Sequence, residues 1–240
     1  MTTRSRNSPS LIVVAVFAIA MAWVEAAVVF YLRTMADRIE PYQQNPFPIT
    51  GDIGSVELGR EVATLIMLLT VGILAGKTWR VRLGCAAVAF GIWDIFYYVF
   101  LKIMCGWPRS LLDWDILFLL PLPWWGPVLA PILIALLLIA WGILASQMAP
   151  IPVSPRANIV GWGMNAIGVM LALFVFMADA LRVADQGVDV IRNTLPMKFN
   201  WLLFCVALAL MSVPIMQLAA GYWRPLRPVP KPPQANCPGL

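Results

Sequence analysis

The sequence predicts an all-α polytopic membrane protein, a bundle of about six transmembrane helices with a short outer helix that is interfacial or half-inserted. Of its 240 residues, 61% are hydrophobic and only 12% charged, whereas soluble domains are roughly 45–50% apolar. Apolar runs of about 20 residues recur along the chain, which is the length that a helix needs to cross a hydrocarbon core of ~30 Å. Strands of a membrane barrel would show short alternating segments instead. Helices are therefore expected throughout.

We predict spans over 11–32, 56–76, 83–104, 127–147, 159–181 and 199–221. The first span follows a polar N-terminus that resembles a secretory signal, but its apolar run is longer than a usual signal core, so we expect it to stay uncleaved. Residues 1–221 are expected to form one bundle. Residues 222–240 form a Pro-rich basic tail, which we expect to lie in the cytoplasm near anionic lipid or a membrane-protein partner.

The segment between the third and fourth spans, "GWPRSLLDWDILFLLPLPWWGPVLAP", has a pattern of its own. Ser110 with Asp113 three residues later resembles a capping box, and Pro121 would end a helix that begins there. The predicted helix of about ten residues is too short to cross a bilayer. It would lie in the membrane interface, or it would cover a cavity and bring Asp115 toward Asp94.

Charged residues are distributed unequally over the predicted connections. With six spans the two termini share a side, and that side carries nine of the 17 Lys and Arg residues and none of the 12 Asp and Glu residues. Because Lys and Arg are enriched in cytoplasmic loops, we expect a bacterial inner-membrane protein with both termini in the cytoplasm. Every acid then lies within a span or on the outer side.

Three of the predicted spans carry charged residues at helical spacing. Polar residues between 57 and 64 fall on one face of the second span, those between 94 and 102 fall on one face of the third, and Glu25 lies in the first. A charge at the bilayer centre costs roughly 2.5–3.5 kcal/mol and normally faces the bundle interior. We therefore predict an outward-facing, carboxylate-lined cavity whose candidate ligand-binding residues are Glu25, Glu57, Arg60, Glu61, Trp93, Asp94, Tyr97, Tyr98, Lys102 and Asp115.

Three functions are compatible with such a cavity. The first is binding or translocation of a cation or a cationic amphiphile, and Glu25, Glu61 and Asp94 are then candidate ligands of a hard divalent cation. The second is an enzyme that acts on a lipid or isoprenoid, with Asp94 as the candidate catalytic acid or base. The third is a structural or assembly subunit of a membrane complex. In that case Arg60 would pair with Glu25 or Asp94, and Lys102 with Glu57 or Asp115, only to fix the helices.

The residue types exclude several kinds of site. The chain has no His, which excludes haem ligated by histidine and Ser-His or Cys-His catalysis. Its four Cys residues lack a C-x-x-C spacing, so they indicate neither a disulfide framework nor a zinc site. No nucleotide-binding motif is visible. We expect membrane lipids around the protein and no nucleic-acid partner.

Four stretches, "VEAAVVFYLR", "ELGREVATLIMLL", "WDIFYY" and "LLDWDILFLLPLPWWGPVLAP", resemble a family of bacterial six-span membrane proteins. The likeness covers roughly residues 22–131 and implies no function. The acid before a tyrosine pair in "WDIFYY" is also similar to integral-membrane terpene cyclases, but no residue role is carried over from them.

Overall fold

A computed structural model describes residues 11–37, 39–42, 52–118, 122–147, 157–187, 190–191 and 194–223. In this part of the chain, six helices are long and apolar enough to cross a membrane, which confirms the predicted helical bundle. They are α1 (Leu11–Met35), α2 (Asp52–Ala75), α3 (Trp79–Cys105), α4 (Leu129–Gln147), α5 (Ile159–Arg182) and α6 (Trp201–Trp223). The predicted tail beyond Trp223 lies outside the described residues.

The third helix is central to the bundle. It packs against α1, α2 and α4, while α5 packs against α6 and α4 contacts α6. α3 begins at Trp79, earlier than predicted, because the side chain of Thr78 accepts a hydrogen bond from the backbone N–H of Val81 and caps the helix. Ala18 and Ala22 of α1 are fully buried in the core that α1 shares with α3. Such small residues let membrane helices approach closely.

Glycines bring α3 and α4 into backbone contact. A Cβ atom added at Gly84 would lie 2.9 Å from the carbonyl oxygen of Gly142, and one added at Gly91 would lie 2.6 Å from the carbonyl oxygen of Ala135. Neither position has room for a side chain unless the helices separate. Because Asp94 follows Gly91 by about one helical turn, this contact also fixes the position of Asp94 relative to α4.

The short helix predicted after Ser110 is wrong. The chain forms an antiparallel hairpin instead, in which β1 (Trp114–Ile116) pairs with β2 (Trp125–Pro127) and Asp115 lies opposite Gly126. The Ser110 hydroxyl accepts from the backbone N–H of Leu112 and does not cap a helix at Asp113, whose N–H donates to the carbonyl oxygen of Ser110 in a turn. The Asp113 carboxylate in turn accepts from the backbone N–H groups that precede it. These local bonds satisfy the backbone in a turn, which competes with helix formation.

The hairpin packs on α5. All three residues of β2 are buried, and a Cβ atom at Gly126 would lie 2.7 Å from the ring of Phe176. Trp124, just before β2, stacks on the same ring with the centroids 6.3 Å apart and the planes 5° from parallel. The hairpin therefore joins the α1–α3 part of the bundle to α5.

The glycine contact between α3 and α4 can be tested with Gly84→Ala. The added methyl group would clash with the α4 backbone, so we expect the free energy of unfolding to fall by about 1–3 kcal/mol, as overpacking does elsewhere. The measurement is unfolding in mixed micelles of increasing SDS content. Gly59→Ala in α2 is the matched control, because no atom lies within 4 Å of a Cβ atom there and Ala favours a helix. Equal stability of the two variants would contradict the close contact.

Candidate functional site

A cavity of about 250 Å³ lies between α1, α2, α3, the hairpin and the first turns of α4, and Phe176 of α5 borders it. Most of the predicted ligand-binding residues lie around this cavity. Its lining includes nine of the ten, namely Glu25, Glu57, Arg60, Glu61, Trp93, Asp94, Tyr97, Tyr98 and Asp115.

Lys102 is the predicted site residue that does not line the cavity. Its side chain is exposed, and its Nζ donates to the carbonyl oxygens of Gly106 at 3.0 Å and Pro108 at 2.7 Å. A lysine at this position stabilises the carbonyl end of a helix. The predicted pairing of Lys102 with Glu57 or Asp115 is therefore wrong. Lys102 instead binds backbone carbonyl groups at the C-terminal end of α3.

A buried ion pair connects α1 to the hairpin. Arg33 Nη2 donates to Asp115 Oδ1 at 2.8 Å, and the two residues are 8% and 1% exposed. The guanidinium also lies 4.3 Å from the ring centroid of Trp107. Asp115 belongs to the hairpin, outside the spanning helices. Burial raises the pKa of its carboxyl group, and the charge of Arg33 and hydrogen bonds from the Ile116 backbone, Tyr98 and Arg33 oppose that rise.

Arg60 connects α2 to α1. Its Nη2 lies 2.7 Å from Oε2 of Glu57 on the preceding turn of α2, and it forms a salt bridge with Glu25 of α1. Thr64, one turn further along α2, donates from Oγ1 to Glu25 Oε2 at 3.1 Å. The carboxylate of Glu25, a residue only 7% exposed, is therefore satisfied by two residues of the neighbouring helix. One of the predicted alternatives for Arg60, pairing with Glu25, is confirmed.

Asp94 has no basic partner in the described part of the chain. Its carboxylate forms no salt bridge or hydrogen bond with another described residue, because Arg33 and Arg60 bind other acids. Asp94 lies about 16 Å along α3 from Cys105 at a rise of 1.5 Å per residue, and its side chain lines the cavity. An ionisable group placed so deep in a membrane bundle marks a candidate functional site.

Aromatic side chains line the same cavity as this carboxylate. Trp93 is 6% exposed and stacks on Tyr97 with the ring centroids 6.4 Å apart, and Tyr97 meets Tyr98 edge to face at 5.0 Å. Phe90, Phe118, Trp124 and Phe176 complete the aromatic part of the lining. Aromatic faces attract cations, so the walls and the carboxylate favour the same sign of ligand charge.

Trp23, which precedes Glu25 by two residues on α1, lies outside the cavity. Trp23 is 48% exposed and packs edge to face on Phe100, so it does not line the cavity. The neighbouring position on α1 that does reach the cavity is Glu25.

The lining is acidic, but its described carboxylates do not form a cluster that could hold a metal ion. Six carboxylates and two guanidinium groups line the cavity. Among the described residues, no three Asp, Glu or Cys side chains lie close enough together to hold a metal ion. Glu25, Glu61 and Asp94, which the sequence suggests as ligands of a hard cation, therefore do not form such a group, and Glu25 is bound by Arg60 and Thr64.

The sequence predicted, as one of two alternatives, that the segment after α3 would cover a cavity, but it did not predict the aromatic wall that this segment forms with α4 and α5. This wall contributes Phe118, Trp124, Ile134 and Phe176, and sequence reasoning had followed only the charged residues. A local signal existed at Gly126, because a glycine in a strand often marks the close approach of another element. Arg33 was also missing from the predicted site, although its helical alignment with Glu25 was visible.

Comparison of the chain with protein-family models, with curated proteins and with solved structures gives no match. The resemblances noted from the sequence therefore stay predictions, and the function has to be inferred from the chemistry of the cavity.

The buried ion pair can be tested with Arg33→Gln. Removing one partner leaves the buried Asp115 carboxylate without a counter-charge, so we expect a loss of roughly 3–5 kcal/mol in unfolding free energy. The control is Arg182→Gln, which breaks the pair with Asp179, where the arginine side chain is 47% exposed. There we expect a loss of at most about 1 kcal/mol. SDS titration followed by tryptophan fluorescence measures both. Similar losses would show that Arg33 and Asp115 are not coupled as described.

Proposed function

We propose that this protein binds an organic cation in the cavity, with Asp94 as the charged contact. The observation that carries the proposal is the carboxylate of Asp94, which lines an aromatic-lined cavity and has no basic partner among the described residues, whereas four other acids of the lining have one. Asp115 pairs with Arg33, Glu40 with Arg109, and Glu25 and Glu57 share Arg60. We further propose that the cavity opens toward the outer side of a bacterial inner membrane, in accordance with the charge asymmetry of the loops.

The sign of the charge follows from the lining. Two carboxylates share the single guanidinium of Arg60, so that pairing leaves negative charge in excess beside the cavity. An anionic ligand would face this excess and the carboxylate of Asp94. A cation would instead offset the cost of the buried Asp94 charge, which is several kcal/mol for an unpaired ion away from water.

The walls favour an organic cation over a metal ion. A hard divalent cation requires about six to eight oxygen ligands, and no such group is present among the described residues. A substituted ammonium ion carries its charge on an apolar body that aromatic faces bind. Each cation–aromatic contact contributes about 0.5–2 kcal/mol, more where water is excluded. Trp93 and Tyr97 lie next to Asp94 on α3 and are positioned for this contact.

The proposal is limited to binding because the cavity is closed toward the opposite face. Phe90 is the α3 residue nearest the start of the helix that lines the cavity. Before it, Cys85, Val88 and Ala89 are buried in the core shared with α1. Passage of a ligand across the membrane would need these contacts to open.

The proposal predicts that Asp94→Asn weakens binding of tetramethylammonium at least tenfold, because the amide keeps the shape of the side chain and removes its charge. Isothermal titration calorimetry of the protein in lipid nanodiscs measures the affinity. Asp185→Asn is the matched control. Asp185 is an exposed residue of a short 3₁₀ helix that follows α5, so its loss should leave the affinity unchanged.

Folding is checked on the same samples by their thermal unfolding midpoints. If Asp94→Asn folds and binds tetramethylammonium as tightly as the unmodified protein, Asp94 is not the charged contact and the proposal fails.

A further inference from the structure

α2 packs less on the rest of the bundle than the other spanning helices do. α2 is the least buried of the six spanning helices. In its most apolar stretch of 18 residues 17% is buried, compared with 28–39% in the corresponding stretches of the other helices. It packs on α3 and to a small extent on α1, and extensive packing on α4, α5 or α6 does not occur within the described residues. The cavity nevertheless has α2 on one side and α4 and α5 on the other. A gap between these helices would face the acyl chains of the bilayer.

The cavity has a polar part and an apolar part. Glu25, Arg60, Glu61 and Asp94 lie on α1, α2 and α3. The hairpin, α4 and α5 contribute Leu117, Phe118, Ile134 and Phe176, and the one acid of the hairpin among the described lining residues, Asp115, is paired with Arg33. A ligand that matches both parts has a charged head near Asp94 and an apolar tail along the opposite wall. A small symmetric cation would leave the apolar wall without contacts.

The volume of the cavity limits how much of such a tail can lie inside the protein. At about 250 Å³, the cavity is slightly smaller than the roughly 300–1,000 Å³ typical of small-molecule pockets. It can hold a head group and a few methylene groups. A longer tail would have to leave the cavity, and on the weakly packed α2 side it would extend into the hydrocarbon of the bilayer.

We infer that the ligand is an alkylammonium amphiphile that enters from the bilayer, between α2 and the wall formed by α4 and α5, and keeps most of its tail in lipid. This inference rests on the proposed function and adds the ligand class and the route of entry. The protein then sets no upper limit on the length of the alkyl tail, because the part outside the cavity lies in lipid.

The test is a series of alkyltrimethylammonium ions with methyl, butyl, octyl and dodecyl groups, titrated below their micelle concentrations into protein in nanodiscs. Empty nanodiscs correct for binding to lipid alone. Each buried methylene contributes ~0.8 kcal/mol on transfer from water, so the affinity referred to the free aqueous ion should rise about fourfold per methylene up to dodecyl. Asp94→Asn should weaken every member of the series by the same factor, and Asp185→Asn should weaken none.

Two results would overturn the inference in different ways. If the affinity stops rising at butyl, the tail lies in a closed cavity that is entered from water, while the binding of tetramethylammonium and the proposed function stand. If no ion of the series shows binding that depends on Asp94, the proposed function fails and the inference fails with it.

The path of the tail can be tested separately with Ile134→Phe, which enlarges a residue of the α4 wall. Octyl and dodecyl ions should lose about tenfold in affinity, while tetramethylammonium stays within about twofold. Leu136→Phe is the control on the same helix, because Leu136 is 50% exposed and does not line the cavity. An equal loss for tetramethylammonium and dodecyltrimethylammonium would contradict a tail on this wall.

Discussion

The ion pair between Arg33 and Asp115 determines how the other charges of the bundle are arranged. A charge in a membrane interior must find a partner or water, and among the described residues only Arg33 and Arg60 line the cavity against six acids. Arg33 binds the hairpin through Asp115, and Arg60 binds α1 through Glu25. These two contacts hold the walls together, and they leave Asp94 without a basic partner in the described part of the chain.

The hairpin makes this arrangement possible because it carries a charged residue into the bundle on backbone that is hydrogen-bonded between its strands. Backbone groups away from water need hydrogen-bond partners, and the hairpin supplies them beyond its strands: Leu117 N–H donates to Trp124 and Trp124 N–H to Phe118, both at 2.8 Å. A short helix would also satisfy its backbone, but it would present a different set of side chains. The hairpin places Asp115 next to Arg33 and Trp124 next to Phe176.

The sequence predicted the helices and the charged side of the cavity for physical reasons that do not depend on tertiary structure. Apolar runs of spanning length identify helices, and the spacing of Glu57, Arg60 and Glu61 places them on one face of α2. The choice of partners is a tertiary property, and spacing could not distinguish Glu25 from Asp94 as the partner of Arg60. The hairpin was missed because Ser110 and Asp113, which form a turn, have the residue types and the spacing of a helix cap. The aromatic wall was missed because apolar residues in a membrane chain carry no pattern that distinguishes a cavity from a lipid-facing surface.

The unpaired Asp94 and the loose packing of α2 have a common explanation. Filling the cavity with side chains from α2 and α4 would bury Asp94 without a partner, and that would cost several kcal/mol. Keeping the cavity open avoids this cost but gives up packing between α2 and the rest of the bundle, which is visible in the low burial of α2. In a bilayer the lost packing is inexpensive, because lipid chains contact α2 about as favourably as side chains do. The membrane therefore lets the protein retain an accessible carboxylate at a depth where a soluble protein would have to bury or solvate it.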